Sequence, residues 1–256
     1  MRSILCLALF AAGMLAQRDL TAQAESSRTI QPEAWQLLQM ANQARATTGA
    51  QPLKWDPALA AAARQHCLRM AAEGPISHRY AGEDDLSVRA GQAGAHFSMI
   101  EENVAMGPTV DSVHVGWMHS PGHRDNLLNP NVDRVGIAVV ASRGELYAVA
   151  DYEQSVKVLE QDEVEAVVGR LLRASGVSLR EDRVDARAYC AEGKDAEITS
   201  QPGFLMMWQG PDLTRLPQKL VARLASGQYH EAAVGSCPTT DLGGSFTAYR
   251  VAVMLY

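Results

Sequence analysis

The chain has 256 residues, 47% of them apolar, and a formal charge of −6 from 23 basic and 29 acidic residues. That is enough apolar material for two cores, and the acidic balance without a basic run excludes a nucleic-acid binder and gives no pull toward anionic lipid. The longest apolar run, Ile4 to Ala16, falls short of the roughly 20 residues a spanning helix needs, so no transmembrane anchor is expected.

Residues 1–24 read as a secretory leader: Arg2, then the apolar run, then Ala22-Gln23-Ala24 as a small-residue cleavage site before Glu25. Cys6 lies inside the run and is not read as a lipid-anchor cysteine. Removal of the leader leaves 21 basic and 28 acidic residues, a formal charge of −7, and the cysteines Cys67, Cys190 and Cys237. The expected location is secreted, extracellular or periplasmic, where one disulfide is expected. Cys190 and Cys237 share the second half and are the expected pair, which leaves Cys67 as a thiol buried in a helix.

In chain order, a polar arm ends at Pro32, and Leu37, Ala41 and Ala44 keep helical spacing up to Gly49. Asp56-Pro57 opens a second helix, with an acceptor for orphan amides and a proline where its missing donor costs nothing. The stripe Leu59, Ala63, His66, Met70 carries it to Gly74-Pro75. His66 and Cys67 are expected to pack in the core. Ser77 to Gly107 reads as loops around one short helix near Asp85 to Gly91, and loops commonly carry function. Val110, Val113, His114 and Trp117 form a short stripe that Pro121 ends, after which Val135–Val140 and Leu146–Tyr152 read as a hairpin.

Pro121 and Gly122 place His123 on a turn, free to face a cleft. His78 and Glu102 are the groups expected to meet it, and two imidazoles with a carboxylate suit a divalent-metal or acid/base site. Neutral imidazoles favour zinc, whereas magnesium asks for more oxygen ligands. Glu102 is the candidate base, with orienting a histidine as its least demanding role. Ser120 adjoins His123 in sequence, yet the glycine-flanked elbow of a serine hydrolase is missing. His119 is expected near the cavity mouth and His114 in the packing, while His96 and His230 are isolated. Asp125, Asn126 and Asn129 are expected to tie down the loop that follows.

Residues 33–152 resemble the CAP superfamily, also called the SCP domain, in its bacterial secreted form. The resemblance is carried by Asn42 and Arg45, Pro52-Leu53-Lys54-Trp55-Asp56, Ser77-His78, Glu102-Asn103-Val104-Ala105, Trp117-Met118-His119-Ser120-Pro121-Gly122-His123-Arg124 and Val135-Gly136-Ile137. It implies an α-β-α sandwich with His78, Glu102 and His123 at the cavity positions. The family's fourth acidic position falls at Ser120, so that carboxylate is missing, and Glu101 stands where the family usually has glycine.

The second half, 160–256, shows an amphipathic helix through Val164, Val167, Val168, Leu171 and Leu172. Strands are expected at Val184–Cys190, Phe204–Trp208, Tyr229–Cys237 and Phe246–Tyr256, with a helix after Pro217. The order α-β-β-α-β-β implies a small α+β domain with an antiparallel sheet. The whole reads as an α+β protein without a certain cofactor. It is expected to be non-enzymatic, binding a small apolar or lipid ligand, a divalent cation or an extracellular macromolecule through a cavity of His78, Glu102, Ser120, His123 and His119. Two alternatives are a metal-dependent, peptidase-like hydrolase using His78, His123 and Glu102, and an envelope adhesion scaffold.

Overall fold

The computed structural model describes residues 30–239 and 246–256 in two compact units, residues 30–83 with 101–152 and residues 84–100 with 153–256. The expected leader lies outside the described residues. The first unit contains α1 (Pro32–Thr48), β1 (Lys54–Trp55) and α2 (Pro57–Glu73). After α3 (Leu86–Gln92), which belongs to the second unit, come β2 (Phe97–Gly107), α4 (Val110–His119), α5 (Pro121–Leu128), β3 (Arg134–Ser142) and β4 (Glu145–Ser155).

The first sheet has the order β1-β3-β4-β2, with β1 parallel to β3 and Trp55 opposite Val135. Strand β3 is buried from Val135 to Val139 without a polar alternation, the mark of a strand covered on both faces. Its even positions face α2, where Ala138 and Val140 join Ala63, Cys67 and Met70. A Cβ built on Gly136 would stand 2.0 Å from the Ala60 nitrogen, so only glycine lets α2 lie this close. Helix α1 also meets β3 and packs with α4 and α5, which makes three layers, α-β-α. Asp56 starts α2 as its residue type predicts, accepting the amides of Ala58 and Leu59 at 2.8 and 3.1 Å.

The second unit contains α6 (Gln161–Ala174), β5 (Ser178–Leu179), α7 (Val184–Glu192) with a 3₁₀ turn at Gly193–Asp195, β6 (Phe204–Gly210), α8 (Gln218–Leu224), β7 (Glu231–Cys237) and β8 (Tyr249–Leu255). Its sheet runs β5-β7-β8-β6; β7–β8 and β8–β6 are antiparallel and β5–β7 is parallel. Val164, Val168, Leu172 and Leu220 fill one face against Val234, Val251 and Val253, while Ala186 meets Ala233 and Met254 on the other. A Cβ on Gly235 would come within 2.3 Å of the Ala186 carbonyl carbon, the same close approach of helix to strand. Cys190 on α7 and Cys237 on β7 form the expected disulfide, and Cys67 is a buried thiol.

Three sequence expectations are corrected. Val184–Cys190 is a helix: Val184, Ala186, Ala188 and Cys190 mimic a period of two, but Val184 is 71% exposed and only Ala186 and Cys190, four apart, are buried. The half therefore runs α-β-α-β-α-β-β. Residues 97–107 form an eleven-residue strand rather than a loop, with Asn103 and Glu102 among its buried positions. Pro121 does not leave His123 on a turn; it occupies the first position of α5, where its fixed φ suits a helix start.

Candidate functional site

The site is built around α2, β2 and α5. His66 sits on the buried stripe of α2 and is fully enclosed. A buried imidazole must find polar partners. Its Nδ1 is 2.8 Å from Glu83 Oε1, its Nε2 2.8 Å from the Ser77 carbonyl and 4.0 Å from Glu102 Oε2. The carbonyl can only accept, so Nε2 carries a hydrogen. Glu83 Oε2 in turn accepts the Tyr80 amide at 2.9 Å. His66 and Glu83 thus fasten the segment from Ser77 to Glu83 onto α2, and this segment carries His78.

His78 reaches back to β2, its Nδ1 2.8 Å from Glu102 Oε1. The two ends of this pair differ sharply: the His78 side chain is 57% exposed and that of Glu102 is 4% exposed. The ring of His123, on the first turn of α5, lies 6.1 Å from that of His78 between centroids, inclined at 49°. Burial, and then the nearby His78, hold the His123 imidazole below its ordinary pKa, favouring its neutral form.

Backbone fastenings fix these positions. The Asn103 amide donates to the His123 carbonyl at 2.8 Å and to the Tyr152 hydroxyl at 3.3 Å. Asn126 donates to the Glu102 carbonyl and to Asn103 Oδ1, and Asn129 to Glu101 Oε1. Burial raises the Glu101 carboxyl above its ordinary range, opposed by the Asn129 bond. Behind α5, the buried Arg45 donates to the carbonyls of Gln51, Leu127, Asn129 and Val132 at 2.7–3.0 Å. That guanidinium ties α1 to the chain leaving α5.

Of the sequence-predicted residues, His78, Glu102 and His123 come together. Ser120 and His119 do not join them by hydrogen bonds among the described residues. Ser120 is the joint between α4 and α5, its amide bonded to the Gly116 and Trp117 carbonyls and its carbonyl accepting the Arg124 amide, and His119 is exposed. His66 and Glu83 were missed as site residues; the readable signal was a histidine on an otherwise apolar stripe.

A resident catalytic zinc would take three protein ligands and a structural one four. Among the described residues no three histidine, cysteine or acidic side chains gather at metal-holding geometry. Two imidazoles with a carboxylate behind one ring do not fit a closed or catalytic zinc centre.

A sequence profile of the cysteine-rich secretory protein family, CAP, matches residues 38–152. The match covers a little under half of the chain and contains His78, Glu102 and His123. The chain is 31% identical over 110 residues to the uncharacterized protein YkwD of Bacillus subtilis, covering 41% of this chain and 42% of that relative, so the likeness spans less than half of either. Among solved structures, an outer surface protein from Borrelia burgdorferi is 19% identical with a TM-score of 0.45, over 48% of this chain and 92% of that one. An extracellular SCP-domain protein from Bacillus anthracis is 24% identical with a TM-score of 0.44, over 50% of this chain and 45% of its own. Within the matched region, β2 supplies Glu102 and α5 supplies His123, while His66 holds the loop that presents His78.

Proposed function

We propose that this protein is an exported, non-enzymatic binding protein whose CAP domain takes up a divalent cation reversibly between His78 and His123. The observation that carries the reading is the 2.8 Å contact between Glu102 Oε1 and His78 Nδ1. An ionised carboxylate only accepts, so Nδ1 is the donor, and a carboxylate behind the ring is the usual arrangement for orienting a metal-binding histidine. His123 supplies a second neutral imidazole 6.1 Å away between ring centroids. With Zn–N bonds of about 2.0–2.1 Å, two rings can share one ion across such a gap. Nitrogen ligands favour zinc over magnesium. Water or a side chain of an extracellular macromolecule completes the coordination.

Glu102 is a positioning residue in this reading. Its carboxylate is directed at His78 and lies 4.0 Å from His66, which argues against the hydrolase alternative, where it would face a bound water. Export is supported by the leader-like residues 1–24 and by the Cys190–Cys237 bridge. No described helix is long and apolar enough to cross a membrane.

Calorimetric titration of zinc and magnesium into chelator-treated protein tests this. Zinc should bind more tightly than magnesium, His78→Ala and His123→Ala should each abolish the heat, and Glu102→Gln should weaken it about 10- to 100-fold. Zinc binding that survives both histidine substitutions would sink the proposal.

A further inference from the structure

We infer that the second unit carries its own binding site, for a small amphiphile with an anionic head and an alkyl body, in a cleft of about 440 Å³ beside α6. The volume lies in the range of small-molecule sites. The cleft exists because the apolar arc of α6 is wider than its core needs. Val164, Val168 and Leu172 are consumed in the core, whereas Val167 and Leu171, on the same helix, stay half-buried and line the cleft. Val156 and Leu159 from the segment before α6, and Leu213 from the loop after β6, complete the apolar lining. The segment before α6 is fixed in place, since the Tyr249 hydroxyl donates to the Lys157 carbonyl.

Charge decides the class of occupant. Lys157 and Arg170 both line the cleft and are exposed. Neither side chain has a hydrogen-bond or ion-pair partner among the described residues. Asp212, the acidic residue in the lining, is already engaged: its Oδ1 accepts the Thr214 amide at 2.7 Å and its Oδ2 lies 3.5 Å from Arg215. These bonds, the Thr214 contacts first, hold the Asp212 carboxyl below its ordinary range. Two unsatisfied cations therefore flank an apolar floor in a chain whose formal charge is −6. Such a local field favours an anionic head and the floor an alkyl tail.

The test is calorimetry of the whole protein with decanoate, decanol and acetate, kept below micelle-forming concentrations. Decanoate should bind, decanol should bind at least about tenfold more weakly, and acetate should give no heat up to about 1 mM. The double substitution Lys157→Glu with Arg170→Glu, at exposed positions, should weaken decanoate about tenfold or more and leave zinc binding unchanged. Leu171→Gln should weaken decanoate and decanol alike, with circular dichroism to verify folding. Absence of decanoate binding, equal affinity for decanol, indifference to the charge reversal, or loss of decanoate binding in His78→Ala would each overturn the inference. The cation reading of the CAP domain would be untouched by any of these results.

Discussion

In the first unit the buried polar groups form a line that reaches water: Glu83 holds His66, Glu102 holds His78, and the His78 side chain stands 57% exposed. In the second unit the buried carboxylate of Glu165 closes on itself. It accepts from Arg183 and Arg187 at 2.8 Å and from the Ser236 amide at 2.9 Å, and its side chain is 1% exposed. Burial pushes the Glu165 carboxyl up, but Arg187, the Ser236 amide and Arg183 outweigh it and leave it lowered. The two arrangements contain similar chemistry. What separates them is the group at the exposed end: an imidazole in the first unit, and in the second two arginines already spent on the buried carboxylate.

That contrast can be broken most severely at Arg45. Arg45→Ala strands four carbonyls and opens a hole under α5, so chemical denaturation should show a loss of about 3–5 kcal/mol. Arg45→Lys should recover little, since an ammonium cannot reach all four acceptors. Because Leu127 shares α5 with His123, and Asn129 and Val132 lie in the chain leaving that helix, zinc binding should weaken too. A variant with full stability and full zinc affinity would show that the guanidinium is ornamental.

Glu165→Gln asks the matching question of the closed network. Arg183 and Arg187 are 42% and 38% exposed and so partly rescued by solvent. The expected cost is about 1–2 kcal/mol, with no effect on cation binding. An effect as large as that at Arg45 would mean the second unit depends on its charges as heavily as the first.

The smallest effect expected is at His114 on α4. Burial holds its imidazole below the ordinary value, with Asp111 opposing. Between the unfolded value near about 6.5 and the lower native one, the unfolded chain binds the extra proton. Stability from this group is therefore complete above that window and falls as pH drops through it. His114→Gln should flatten the acid side of a melting-temperature profile; an identical slope in both proteins would remove His114 as its source.

Much of the architecture was legible because single elements carry unambiguous local signals. Asp56-Pro57 starts α2, the stripe of α6 has the period of a helix, and Val135–Tyr152 makes a hairpin. Strand β2 escaped because the buried polar residues Glu102 and Asn103 interrupt any apolar pattern. Helix α7 escaped because alternating alanines imitate a strand until it is known which are covered. His78, Glu102 and His123 could be picked out by residue type and motif. His66 was readable only as a histidine on an apolar stripe, since its partners Glu83 and Ser77 are 17 and 11 residues away in sequence.

The lone thiol offers one more use. Cys67 is buried in α2, donates to the Tyr147 carbonyl at 3.1 Å and is pushed up to about 12, mainly by burial. Cys190 and Cys237 are already joined. In a chain without residues 1–24, an alkylating reagent would therefore find a single thiol, and only when α2 lifts from β3. The labelling rate is a clock for the opening of the first unit alone, readable by mass spectrometry while the second unit stays silent.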